Sequence, residues 1–130
     1  MPERQNISSN SPYEPTVGYS RAVRVGNQVF VSGTVAWGDD GKLTGIGDMY
    51  GQSRQAIHNI EKALAQAGAT LADVVRTRIF ITDMSRFDEF ARAHGEAFGS
   101  VRPAATCVEV AALASPEMLV EIEADAVIGA

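Results

Sequence analysis

Two stretches near the C-terminus decide the fold: Arg102-Pro103-Ala104-Ala105-Thr106-Cys107-Val108-Glu109-Val110 and Leu119-Val120-Glu121-Ile122-Glu123-Ala124-Asp125-Ala126-Val127. Both are rich in β-formers, and Pro103 stands where a strand can begin without losing a ladder hydrogen bond. Side chains alternate across a strand, so Val120, Ile122, Ala124, Ala126 and Ile128 share one face while Glu121, Glu123 and Asp125 share the other. The two runs are expected to pair with each other. The acidic face has two readings. It is either a row of carboxylates in water on a half-exposed antiparallel strand, or the wall of a cleft where a carboxylate positions a water or exchanges a proton.

Working outward, Val74 to Thr82 is the clearest strand, with Val75, Thr77, Ile79 and Ile81 on one face and Arg76, Arg78 and Phe80 on the other. A helix is predicted from Met49 to Ala67, with Asp48 as its N-cap, Ile57, Ile60, Leu64 and Ala67 as its apolar stripe, and Gly68 as a left-handed stop. A second opens at Ser85-Arg86-Phe87-Asp88, close to a capping box, carries Phe87, Phe90, Ala91, His94 and Phe98 on one side, and closes at Gly99. Before them, Tyr19 to Val25 and Gln28 to Ser32 form a hairpin about Gly26-Asn27, and Thr34 to Trp37 adds a short third strand before the loop Gly38 to Gly41. Residues 1–16 are predicted to be an extended arm. The order ββ(β)αβαββ defines an α+β domain with two helices on one face of a mixed sheet. The other face, predicted to carry Arg76, Arg78, Phe80, Cys107, Glu109, Glu121 and Glu123, suits another subunit.

The chain of 130 residues is long enough for one domain with a real core, and 45% hydrophobic with 21% charged residues is an ordinary globular balance. A net charge of -5 repels phosphate backbones and offers no polybasic membrane patch, so neither nucleic acid nor membrane is an expected partner. One cysteine and two histidines permit no internal disulfide and make a poor metal set. Gly45-Ile46-Gly47-Asp48 with Gly51 misses the dinucleotide fingerprint by one position. Without a basic-then-apolar leader or a run of about 18 apolar residues, the expected compartment is the cytoplasm.

Several segments together resemble the RidA/YjgF family, also called the endoribonuclease L-PSP family, over residues 17–128. They are Val29-Phe30-Val31-Ser32-Gly33, Gln55-Ala56-Ile57-His58-Asn59-Ile60, Asp73 to Asp83, Arg102-Pro103-Ala104, Val108-Glu109-Val110 and Val120 to Ala124. The resemblance implies a chorismate-mutase-like fold, a homotrimer around a central barrel with clefts between neighbouring subunits, and no metal or organic cofactor. It implies hydrolysis of reactive enamines and imines such as 2-aminoacrylate. By position it assigns the pocket to Tyr19, Ser32-Gly33 and Cys107, and the water-orienting acid to Glu121. The family's arginine clamp for the substrate carboxylate falls at Ala105, and an asparagine of the second helix at Ala91, so activity on 2-aminoacrylate is not expected to carry over.

The residues leave choices open. Arg102 is a replacement anion clamp or a tether for the preceding loop; Arg78 is a ligand group or an ion-pair partner of the strand glutamates. Trp37 caps a planar ligand at the mouth of a cleft or packs in the core. Cys107 pairs with no evident base and reads as a small buried residue. The leading function is therefore an imine or enamine deaminase, a hydrolase acting through Glu121. The alternative is a non-catalytic metabolite-binding trimer, and a ribonuclease is opposed by the acidic balance.

Overall fold

The computed structural model describes residues 3–130. Six strands form one mixed sheet in the order β1-β2-β3-β6-β4-β5. They are β1 (Arg4–Ile7), β2 (Ala22–Val25), β3 (Gln28–Thr34), β4 (Val74–Ile81), β5 (Ala104–Glu109) and β6 (Val120–Val127), with helices α1 (Met49–Gln66) and α2 (Phe87–Phe98) between β3 and β5. The sequence of elements is that of the α+β reading, with two differences. The additional strand lies at the N-terminus, where Arg4–Ile7 pairs antiparallel with β2. Residues 34–37 add only the end of β3 and an isolated bridge between Trp37 and Leu43. Beyond β1, the expected arm turns through Glu14–Gly18 as a short π-helix.

The two stretches that decide the fold do not pair with each other. β4 stands between them, antiparallel to β6 and parallel to β5. A parallel neighbour needs a crossover connection, and α2 between β4 and β5 supplies it, leaving β5 at the sheet edge. Residues directly opposite share a face, so Cys107 falls beside Ile79 and Glu109 beside Ile81, on the helix side. The open face carries Thr106 and Val108 in their place, which corrects the composition expected from sequence. Cys107 packs against the core, and Glu109 accepts a hydrogen bond from the Met84 backbone N–H.

The core lies between the sheet and the helices. Val29, Val31, Ile79, Ile81, Val120, Ile122, Ala124 and Ala126 from the strands meet Ala56, Ile57, Ile60, Leu64, Phe90 and Phe98 from the helices. Asp48 caps α1 by accepting from the Gly51 N–H, and Gly68 follows it at φ +82°. The start of α2 differs from the capping-box expectation. Asp83 caps a 3-10 turn, Met84–Arg86, through the N–H and hydroxyl of Ser85, and α2 begins at Phe87. Inside the core, Thr77 Oγ1 and His94 Nε2 are 2.9 Å apart, and the His94 ring lies between those of Phe90 and Phe98.

Candidate functional site

Glu121 lies on the open face of β6, opposite Phe80 of β4. On its other side β3 is irregular: Val31 faces Ala124 and Thr34 faces Ile122, so β3 takes three steps where β6 takes two. This bulge at Ser32-Gly33 releases backbone from the ladder and re-aims the side chains next to it. The Glu121 carboxylate lies against the Cα of Gly33, in space a Cβ would occupy. Only glycine admits the acid at this point.

The freed Gly33 carbonyl accepts a hydrogen bond from Arg21 Nη2 at 2.5 Å, and Ser32 Oγ donates to the Ser20 carbonyl at 2.6 Å. The Arg21 guanidinium carbon lies 5.9 Å from the centre of the Tyr19 ring. Sequence reasoning missed Arg21, although alternation along Tyr19 to Val25 puts it on the face of Tyr19 and Val23. Its position opposite Ser32 is a matter of tertiary pairing.

Burial pushes the Glu121 carboxyl above its ordinary value; Arg21 opposes this and Glu123 adds to it. Such an acid holds its proton into a pH range where exposed glutamates have lost theirs. Burial draws the Arg21 guanidinium down, and Tyr19, Glu14 and Glu121 restore part of the difference. Glu14, 6% exposed, is also affected most by burial, which raises it. Hydrogen bonds from Ser8 Oγ, Ser9 N–H and Ser9 Oγ, together with Arg21, outweigh that cost and hold it below the usual carboxylate range.

The other residues singled out from sequence lie apart from this cluster. Ala105 is opposite Thr77 and Cys107 opposite Ile79, on the helix side of β5. Within the chain they are separated from Glu121 by β4 and by the thickness of the sheet. Burial raises the Cys107 thiol, which makes it a weak nucleophile. Arg102 is exposed ahead of β5 at φ +57°, its N–H bonded to the Phe98 carbonyl, so its backbone closes α2. Arg78 meets Asp125 at 3.1 Å and Glu123 at 3.6 Å within its own chain; Glu123 is one of the glutamates expected to pair with it, and Asp125 is a nearer partner that was not expected. Trp37 lies over α1, where its carbonyl accepts from Asn59, and the residue is 45% exposed.

Two clefts of about 730 Å³ each border the cluster. Tyr19, Ser32, Glu14 and Phe30 line one on the open face, and Arg21, Thr34, Trp37 and Asn59 line the other, between the N-terminal segment and α1. Among the described residues no three potential metal-binding side chains cluster, and no helix is long and apolar enough to cross a membrane.

The fold is an α+β domain whose open sheet face carries the Glu121 carboxylate at a strand bulge. Residues 9–128 match the model of the endoribonuclease L-PSP family, and the chain belongs to this family, the RidA/YjgF group. It is 53% identical to the Mycobacterium tuberculosis protein Rv2704, of the YjgF/YER057c/UK114 family, whose crystal structure superposes with a TM-score of 0.88 over 97% of this chain and 100% of that one. An uncharacterized Streptomyces coelicolor protein is 37% identical over 97% of this chain and 93% of its own. The 3-aminoacrylate deaminase RutC of Acinetobacter baylyi is 31% identical over 94% of this chain and 95% of its own.

Proposed function

We propose that the protein hydrolyses small reactive imines and enamines to carbonyl compounds and ammonia, in clefts between the subunits of a cytoplasmic homotrimer. The observation that carries this reading is the Glu121 carboxyl, held half-buried against Gly33 with its proton affinity raised. A carboxyl of this kind serves both halves of the reaction. As a base it takes a proton from water as the oxygen attacks the imine carbon. As an acid it returns a proton to nitrogen, so that the tetrahedral carbinolamine expels ammonia and becomes a ketone or aldehyde. An imine and one water give a carbonyl compound and ammonia, with nothing oxidised or reduced. The relationship to a 3-aminoacrylate deaminase supports the reaction class.

The inter-subunit location follows from the family resemblance, which puts Glu121 and the Ala105-Cys107 edge in one cleft. Glu121 and the Ala105-Cys107 edge face opposite sides of one protomer's sheet, so a single cleft containing both needs two copies. The test is ammonia release from freshly generated imines over a panel of parent amines. Wild type is expected to accelerate release, and Glu121→Ala to lose about 100-fold or more, the range of a positioned acid or base. Equal rates for the two would remove Glu121 from the mechanism. Thermal stabilisation by a metabolite without turnover would leave a binding protein.

A further inference from the structure

We propose that Arg21 is a positioning residue for Glu121: its side chain fastens the β3 bulge against which the carboxyl is seated, and its positive charge faces that carboxyl. For its effect on turnover the proposal rests on the hydrolase reading; for its effect on the carboxyl it stands without it.

The bulge is held at three peptide groups. The Ser32 N–H donates to the Arg21 carbonyl at 3.0 Å, the Ser32 carbonyl accepts from Thr34 Oγ1 at 2.7 Å, and the Gly33 carbonyl accepts from Arg21 Nη2. The first is a main-chain bond that any residue at position 21 would keep. The last depends on the side chain, and it holds the peptide whose Cα the Glu121 carboxylate lies against. Displacing the Gly33 carbonyl therefore moves the seat of the acid.

A neutral carbonyl asks only for a donor, which an uncharged amide supplies. A guanidinium costs more at this place: burial draws it down, and its Nε is enclosed without a partner among the described residues. What it adds over a neutral donor is positive charge, which acts on Tyr19, Glu14 and Glu121. Glu14 already has the donors of Ser8 and Ser9. Glu121 has no hydrogen-bond donor among the described residues, so the charge of Arg21 is what favours its ionised form.

The other groups that face Glu121 do not replace Arg21. On β6, Glu123 is a like charge that opposes ionisation. On β4 the residue opposite is Phe80, and Arg78 is taken up by Asp125 and Glu123. On β3 the bulge offers the uncharged Ser32 and Gly33. The ionised carboxylate is the form that takes a proton from water, so Arg21 governs the pH at which the acid becomes a base.

The experiment is an NMR titration of the full chain, 13C-labelled at its glutamate carboxyls, in which the Glu121 signal is the one lost in Glu121→Gln. Arg21→Gln keeps a donor without charge, and Arg21→Lys keeps the charge. The midpoint of Glu121 is expected to rise in Arg21→Gln and to stay close to wild type in Arg21→Lys. In wild type labelled with 15N-arginine, a guanidinium resonance is expected to move with that same midpoint. Equal midpoints in wild type and Arg21→Gln would overturn the proposal. So would the lack of any arginine resonance that follows Glu121 in wild type, a result that needs no folded variant. Imine hydrolysis by Arg21→Gln is expected to fall roughly 10- to 100-fold at neutral pH, the scale of a small misplacement at a reacting group, with the rising limb of its pH profile displaced upward and largely restored in Arg21→Lys. Loss by one factor at every pH would make Arg21 merely structural and overturn its role. If the midpoint moves but wild type turns over no imine, the positioning stands and the hydrolase falls. If imines turn over with the midpoint unmoved, the hydrolase stands and the positioning falls.

Discussion

At the scale of single residues, Glu121 and Glu14 show how one environment sets two carboxyls on opposite courses. The folded pKa of Glu121 is raised, so in the window between its unfolded and folded values the native state holds more protons than the unfolded state. Its contribution to stability is therefore full below the unfolded value and lost as pH rises through the folded one. Glu121→Gln is expected to match wild type in acid and to melt higher than wild type at neutral pH, a comparison that a pair of melting curves makes directly. Glu14 has the reverse sign: its depressed folded pKa gives stability that is present above the unfolded value and lost as pH falls through the folded one. Glu14→Gln should lower neutral-pH stability by about 1–3 kcal/mol, the usual cost of stripping a buried hydrogen-bonded acceptor, with the difference shrinking in acid. Gly33→Ala meets the far end of the flexible Glu121 side chain and pushes the carboxylate aside, so denaturant melts should change by less than about 1 kcal/mol while Glu121-dependent hydrolysis falls. Of this cluster, Glu121 was legible from alternation and, with Tyr19, Ser32 and Gly33, from the family resemblance. Arg21 was not, because nothing local tells that its side chain finds a bulge carbonyl twelve residues away.

At the scale of elements, the helices were readable from period and caps, while the contacts fastening them were not. Gln52, in the first turns of α1, is fully buried; its amide donates to the Gly45 and Glu117 carbonyls and its oxygen accepts from the Leu119 N–H. It ties α1 to the segment that leads into β6, and so sets where β6 begins. Gln52→Leu would leave three backbone groups without that partner, and a loss of about 2–4 kcal/mol is expected in chemical denaturation, since each unsatisfied buried group costs about 1–3 kcal/mol and partial rewetting reduces the sum. The start of α2 illustrates a local signal outcompeted by a neighbour. Ser85 has the composition of an N-cap, yet Asp83 takes its N–H and hydroxyl and inserts a 3-10 turn first.

At the scale of the whole molecule, the position of β6 between β3 and β4 has the largest consequence. It puts Glu121 beside the β3 bulge and leaves β5 as an edge, with Phe30 and Val108 44% and 42% exposed on the open face around the Arg78, Glu123 and Asp125 ion pairs. A sheet face mixing apolar side chains with preformed ion pairs suits an interface better than open water. Under the trimer reading, sedimentation should return three times the 13.8 kDa chain mass, and Val108→Arg should reduce it toward one chain with loss of imine hydrolysis. A wild-type monomer that is fully active would overturn the shared-cleft reading.

By itself the sequence determined the two helices, the extended runs of β2, β3, β4 and β6 and the apolar side of β4 and β6, because period, capping and alternation act over a few residues. The tertiary structure alone decided that β4 separates β5 from β6, that Cys107 and Glu109 turn toward the helices, and that Arg21 arrives at Gly33 beside Glu121. Register and strand order arise from pairings far apart in the chain, whose energies depend on the joint fit of many side chains. No single stretch contains that information.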